Sequence, residues 1–353
     1  MDEKENLILP DMTPLLSWYE ANKRDLPWRH TRDPYRIWVS EIMLQQTRVE
    51  AVIPYYERFL SRLPTVQALA ECPEDELMKL WEGLGYYSRV RNMQKAAKSI
   101  MTAHGGVFPN TYESIRALCG IGDYTAGAIA SFAFGLPYPA VDGNVLRVAA
   151  RLTAFPENIL APASKKTLTD AVAKEQTHHA PDTFNQALME LGATVCLPNG
   201  APKCDACPLA DRCRAHLEGK TDTLPVRAKP APRKQEYRTV LILRIGDTVA
   251  LRKRPETGLL SGLFEPFCLP EKLTADKVAA ALAARGLSPL RIAPLGDAKH
   301  VFTHLEWHMT GYEILLDEGA SRALPADLFL APREEIDTLY AIPSAYRFYR
   351  PYM

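Results

Sequence analysis

Leu118-Cys119-Gly120-Ile121-Gly122-Asp123-Tyr124-Thr125-Ala126-Gly127-Ala128-Ile129, an apolar run, and then Val141-Asp142-Gly143-Asn144-Val145-Leu146-Arg147-Val148 decide the fold. Gly120 and Gly122 flank one apolar residue directly before a helical pattern carried by Tyr124, Ala128, Ile129 and Phe132. Two glycines there let the backbone turn tightly and aim free N–H groups outward at a helix N-terminus, an anion site suited to a phosphate. The next polar break is Asp142, where the chain turns before another helix. A carboxylate just beyond a phosphate-gripping turn points to chemistry on a nucleic acid. Taken alone, each half reads more simply as a glycine-capped helix end and an N-capping Asp. The spacing of the two favours the functional reading.

The rest of the chain frames this stretch. At 353 residues it exceeds one ordinary domain, so two are expected. An apolar fraction of 47% supports globular cores. No apolar run reaches the roughly eighteen residues of a membrane span, and the acidic Met1 to Asn6 lacks the features of a secretion signal. The expectation is a cytoplasmic protein with no membrane association. Lys plus Arg and Asp plus Glu both number 42, so no global field announces a DNA partner. Phosphate contacts must then come from local patches and backbone amides.

Residues 1–224 read as helices. Asp33 looks like an N-cap with Pro34 at the first helical position, opening a helix from Tyr35 to Thr47. Thr65 and Pro73 start two more, and Tyr86 to His104 is a long basic amphipathic helix closed by Gly105-Gly106. Residues 225–236, within a stretch holding Pro225, Pro230, Pro232, Arg227, Lys229, Arg233 and Lys234, read as a basic, proline-stiffened linker. Beyond it the periodicity switches. Thr239 to Ile245, a Gly246-Asp247 turn and Thr248 to Arg254 predict a β-hairpin. Ala275 to Arg285 predicts a helix, Val301 to Leu316 strands, and Arg333 to Tyr349 mainly helix. An α+β domain over 237–353 thus follows an all-α one.

Three further groups carry chemistry. Glu41 stands among Trp38, Ile42 and Met43, where burial raises a carboxyl pKa and makes a proton donor near neutral pH. The plainer reading pairs it with Arg29 or Arg32 of the preceding loop. Cys196, Cys204, Cys207 and Cys213 fall within eighteen residues. In a cytosolic protein that density reads as metal ligation, by zinc or an iron–sulfur cluster, rather than disulfides. Cys72, Cys119 and Cys268 read as buried core residues. Finally, Leu80-Trp81-Glu82-Gly83-Leu84-Gly85-Tyr86-Tyr87-Ser88-Arg89 places an aromatic at a glycine-rich bend. Such a residue can wedge between bases, or simply cap a helix over core aromatics.

The hairpin and Asp142 together resemble the helix-hairpin-helix DNA glycosylase superfamily. Tyr124, Asp142-Gly143-Asn144, Leu26-Pro27-Trp28-Arg29 and the Ile37 to Thr47 string resemble its MutY-type adenine glycosylase branch. The resemblance implies a helix-hairpin-helix glycosylase core with a [4Fe–4S] cluster on the four cysteines. The family spacing there is six, two and five intervening residues, against seven, two and five here. It implies that Glu41 protonates an extruded adenine at N7 while Asp142 stabilises an oxocarbenium-like sugar. Tyr124 and Asn144 would position Asp142 and water, and Trp28, Arg29 and Gln186 would meet the adenine. Gln186 has a physical reason, since an amide can pair bidentately with an adenine edge. Gln46, Thr47, Leu84 and Tyr86 would contact the opposite strand, with Gly120 and Gly122 on a phosphate.

Tyr124 replaces the Schiff-base Lys of endonuclease III-like relatives, which implies base removal without an efficient lyase step. The C-terminal part resembles a Nudix fold through Arg254-Pro255 and Gly258 to Glu265, but its Ala-rich helix lacks the Mg²⁺-binding glutamates. Phe302-Thr303-His304 stands where the family reads 8-oxoguanine with Phe-Ser-His. The expected activity is excision of adenine opposite 8-oxoguanine, and opposite guanine, by a monomer of bacterial, nucleoid-associated type acting on double-stranded DNA. The rivals are an endonuclease III-like glycosylase/lyase, a catalytically silent lesion-binding protein and a Nudix hydrolase.

Overall fold

The computed structural model describes residues 7–228 and 231–353. Met1 to Asn6, Lys229 and Pro230 lie outside the described residues, and with them the acidic start and part of the basic linker. The chain divides into two compact units, Met1–Glu71 with Arg91–Lys229, and Cys72–Val90 with Pro230–Met353. The Leu80 to Arg89 bend thus belongs with the C-terminal unit rather than with the helices that flank it in sequence.

The first unit is helical. Its described elements include α1 (Thr13–Asn22), α2 (Pro34–Leu44), α3 (Val49–Arg62) and α4 (Val66–Glu71). A short α5 (Glu74–Leu80) goes with the second unit, and α6 (Ser88–Ala103) runs from one unit into the other. Then follow α7 (Tyr112–Arg116), α8 (Asp123–Phe134), α9 (Gly143–Leu152), α10 (Pro162–Gln176), α11 (Pro181–Thr194) and α12 (Arg214–Leu217). The α2 cap is as the sequence predicts: the Asp33 carboxylate accepts the Tyr35 N–H at 2.9 Å and Pro34 occupies the first turn. α8 is apolar along most of its length and is buried from Thr125 to Ser131, with α2, α7 and α11 packed around it. α1, α9, α10 and α11 close a second core through Leu15, Tyr19, Val145, Ala149, Leu168, Phe184 and Leu188.

The second unit is a six-stranded mixed sheet, ordered β4-β5-β1-β3-β2-β6. Its strands are β1 (Lys234–Ile245), β2 (Thr248–Lys253), β3 (Phe264–Pro270), β4 (Arg291–Val301), β5 (Leu305–Leu316) and β6 (Phe329–Pro332). The β1–β2 hairpin turns at Gly246-Asp247, with Ile245 opposite Thr248. β1 and β5 are parallel; the other pairs are antiparallel. Alternate side chains of β1 feed two cores, Val240 and Ile242 on one face, Leu241 and Leu243 on the other. α13 (Ala275–Ala283) packs Val278 and Leu282 into the latter. α5 packs on α14 (Arg333–Leu339), where Lys79 donates to the Tyr340 carbonyl and Glu82 accepts the Ile342 N–H. The strand over Arg291–Val301 escapes the sequence reading because its side chains alternate only between half-buried and exposed. The stretch read as mainly helical to Tyr349 forms a short helix, Arg333–Leu339, and a 3₁₀ turn at Ser344–Tyr346.

Candidate active site

One large cavity opens in the helical unit, about 1200 Å³ in volume. Its wall is built from the 3₁₀ turn Pro27–Arg29, α2, the start of α8, the α8–α9 turn and α11. Glu41 enters it from α2. Because α2 is apolar round most of its surface, burial of Tyr35 and of Ile37 to Met43 takes the carboxyl with it, leaving Glu41 only 5% exposed. Burial pushes its pKa up to about 7. The Tyr124 hydrogen bond and the Arg29 charge oppose that rise, and the Asp142 charge adds to it. Tyr124 Oη donates to Glu41 Oε2 at 2.5 Å. Its own pKa stands well above 10, through burial first and then the two carboxylates.

Asp142 reaches the same cavity as the N-cap of α9. Its Oδ1 accepts the Asn144 and Val145 N–H groups, both at 2.8 Å, and its Oδ2 accepts the Asn144 amide at 2.7 Å. Burial raises its pKa, and these hydrogen bonds oppose the rise. Asn144 is itself held by Arg147, whose Nη2 donates to its Oδ1 at 2.8 Å. Gly192 leaves the room for this: a Cβ there would lie 2.6 Å from Asn144 Cβ. The N-capping reading of Asp142 is the one that forms, and the cap sets the carboxylate on the cavity wall.

Glu41, Asp142, Tyr124, Asn144, Trp28, Arg29, Gln186, Gln46, Thr47 and Gly122 all line this cavity. Gly120 does not. It turns the hairpin at φ +78°, with Asn92 Cβ 2.6 Å from where a Cβ would stand. Gly122 has an ordinary extended backbone and serves as the start of α8, with no side chain to cap it. Only one of the two glycines is thus needed for the turn.

Glu41 pairs with neither loop arginine, so the plainer reading of it does not form: Arg29 is bound to Glu190 and Arg32 to Asp182. Two expectations are corrected. Tyr124 bonds Glu41, so Asn144 alone of the two holds Asp142. Cys119 is exposed, unlike Cys72 and Cys268, because it sits on the hairpin rather than behind it. Sequence reasoning also misses Glu190. This fully buried carboxylate takes Arg24 Nε at 2.7 Å, Arg24 Nη2 at 2.9 Å and Arg29 Nη2 at 2.7 Å. A signal for it exists: it lies four residues after Gln186 on α11, and so faces the same way. Tyr19, from α1, donates to Gln186 Oε1 at 3.1 Å.

In the other unit, Tyr86 is 48% exposed at φ +46°, and its hydroxyl lies 2.7 Å from Thr303 Oγ1. Leu84 is buried, and its carbonyl accepts from Arg89. Phe302 stacks edge-on against Trp307, while Thr303 and His304 are exposed.

The four clustered cysteines line one small cavity with Val148, Leu152, Leu191 and Val195. None is in a disulfide. Among the described residues, no group of three or more His, Cys, Asp or Glu side chains stands in a ready metal-binding arrangement. The donor set nevertheless fits a group taking four sulfur ligands. Burial raises the thiols of Cys204, Cys207 (to about 11) and Cys213, with neighbouring cysteines adding to the rise.

Residues 39–174 match the HhH-GPD superfamily of base excision DNA repair proteins, and residues 238–349 the NUDIX domain. The adenine DNA glycosylase of Mus musculus is 36% identical over 369 residues, covering 88% of this chain and 72% of that one. That of Buchnera aphidicola subsp. Baizongia pistaciae is 36% identical over 307 residues, covering 86% of each. The chain belongs to the adenine DNA glycosylase family. It is thus an adenine-specific DNA glycosylase of base excision repair. A thermostable thymine-DNA glycosylase structure shares the helical fold of this glycosylase, with a TM-score of 0.52 and 28% identity over 59% of this chain and 95% of that one. Among its described residues no helix is long and apolar enough to cross a membrane.

Proposed function

We propose that this glycosylase hydrolyses the N-glycosidic bond of adenine opposite 8-oxoguanine, and opposite guanine, and does so without a lyase step. The observation that carries the reading is the pairing of two unlike carboxyl groups on one cavity. Glu41 is buried and poised near neutrality, whereas Asp142 is held by three hydrogen bonds that favour its charged form. That division is what departure of a purine from a sugar requires: an acid for the leaving group and an anion for the cation left behind.

In this mechanism an adenine flips from the duplex into the cavity. Glu41 gives its proton to N7, so that the base leaves neutral. Asp142 faces the oxocarbenium-like sugar, with Asn144 holding its orientation, until water adds to C1′ and gives up a proton to complete the hydrolysis. Tyr124 holds Glu41 and has no amine for a Schiff base. Trp28, Arg29 and Gln186 form the adenine pocket. Gln46, Thr47, Leu84 and Tyr86 contact the opposite strand, Gly120 and Gly122 a phosphate, and Phe302-Thr303-His304 the 8-oxoguanine. The hydroxyls of Tyr86 and Thr303, already 2.7 Å apart, support a shared role at that base. Cys196, Cys204, Cys207 and Cys213 would hold a [4Fe–4S] cluster, which cross-links their loop. Along the sequence the chain would divide at 1–224, 225–236 and 237–353, save that residues 72–90 go with the C-terminal unit and β1 already begins at Lys234, and it would act as a monomer in the bacterial cytoplasm.

The test incubates the protein with duplexes carrying adenine opposite 8-oxoguanine, guanine or thymine, and measures free adenine and strand scission with and without alkali. Adenine release from the first two, with scission only after alkali, is expected. Scission without alkali, or strong borohydride trapping through a lysine, would overturn the lyase-free mechanism. Binding without adenine release would favour a silent lesion-binding protein.

A further inference from the structure

The loop before α2 supplies three arginines to the cavity that holds Glu41, yet none is spent on it. Arg32 meets Asp182 at 3.0 Å. Arg24 and Arg29 both converge on Glu190, which has no solvent exposure. Its Oε1 accepts Arg24 Nε at 2.7 Å and the Arg24 backbone N–H at 3.2 Å. Its Oε2 accepts Arg24 Nη2 at 2.9 Å and Arg29 Nη2 at 2.7 Å. Arg29 is further fixed by Nη1, which donates to the Arg24 carbonyl at 2.9 Å, and by the Tyr19 ring 5.4 Å from its guanidinium. A carboxylate with four donors is built to stay an ion: burial works to raise Glu190, but the bonds from Arg24 and Arg29 outweigh it and hold it down to about 2. Glu41 has the opposite environment: among the described residues its side chain accepts only from the Tyr124 phenol.

We infer that Glu190 is a positioning residue that holds Arg29 away from Glu41, so that Glu41 meets the adenine unpaired and still carrying its proton. The assignment rests on the reading of Glu41 as the acid. A buried carboxyl beside a free guanidinium ionises, and an ionised Glu41 has no proton to give. Glu190 satisfies the arginine with a different carboxylate. Arg29 can then serve the base edge without disarming the acid.

Other charges share the cavity. Tyr124 of α8 and Asp142 before α9 act on Glu41 directly, as does Arg29. Asp123 of α8, Lys165, Lys166 and Asp170 of α10, and Asp182 of α11 line the same cavity, with Tyr112 of α7. Of these, Arg29 is the cation that acts on Glu41, so its partner sets the balance.

The experiment is single-turnover adenine excision from a duplex with adenine opposite guanine, followed across pH. In the wild type the rate falls as pH rises through about 7. In Glu190→Gln, Arg29 loses its counter-charge, and the falling limb moves to lower pH by about one pH unit. Excision at alkaline pH drops about tenfold, while the acidic plateau moves far less. Glu190→Asp keeps the charge but draws it back, so the limb moves the same way by a smaller step. It carries the test if Glu190→Gln does not fold. Adding Arg29→Met to Glu190→Gln returns the limb to its wild-type position or above. A limb that stays in place in Glu190→Gln and Glu190→Asp, with rates merely scaled down, overturns the inference and leaves Glu190 a structural ion pair. Wild type without any limb, together with active Glu41→Gln, sinks the acid reading itself.

Discussion

Replacing Glu41 by Gln should make the protein inactive and, at alkaline pH, more stable. Folding lifts the Glu41 pKa from 4.5 to about 7. Within that interval the unfolded chain has released the proton while the folded protein still holds it. The penalty for keeping this carboxyl buried is absent below about pH 4.5, grows between the two values and is complete above about 7. Stability from this group therefore falls as pH rises. The interval of about 2.5, at about 1.4 kcal/mol each, amounts to about 3 kcal/mol. Gln is nearly isosteric, stays neutral, and its carbonyl oxygen can still accept from Tyr124. Glu41→Gln should thus exceed wild type by about 3 kcal/mol at pH 8 and by about 1 kcal/mol or less at pH 5. Urea unfolding of both proteins at the two pH values measures it. Equal stability at pH 8, or a gap that does not shrink at pH 5, would refute the assignment of a buried, protonated Glu41.

Three other outcomes follow from the same geometry. Tyr124→Phe removes a hydrogen bond that favours ionised Glu41; at about 1.5–3 kcal/mol for a bond to a charged group, the falling limb of the excision profile should move up by about one to two pH units. Gly192→Ala drives a Cβ to within 2.6 Å of Asn144 Cβ; excision should drop more than about tenfold for a stability cost of about 1–3 kcal/mol, read by single-turnover kinetics beside thermal melting. Iron and sulfide analysis of protein purified without oxygen should find about four of each per chain, and removing them should lower the melting temperature; stoichiometric zinc with no iron would contradict the cluster.

Much of the site is legible in the sequence because it depends on local signals. Asp33-Pro34 fixes where α2 begins, and the apolar run after it dictates that Glu41 is buried. Asp142-Gly143-Asn144 fixes a cap, and the cap is what aims the carboxylate. What escapes is settled by tertiary partners. Nothing local says that Tyr124 reaches across to α2, or that Arg29 turns to α11 rather than to Glu41. The spacing of Glu190 from Gln186 gives its face of α11, but not the two arginines of a distant loop that close over it. Cys119 shows the converse: an apolar residue type in an apolar stretch, left exposed by the hairpin turn at Gly120. Strand β4 carries no clean alternation because both its faces are partly wet.

The central claim is that Glu41 and Asp142 act together on one flipped adenosine. It is tested most directly by single-turnover release of free adenine from a mispaired duplex by wild type, Glu41→Gln and Asp142→Asn, with DNA binding measured alongside. Each variant should bind DNA yet release adenine at least about 100-fold more slowly. Release at the wild-type rate by either one would contradict it.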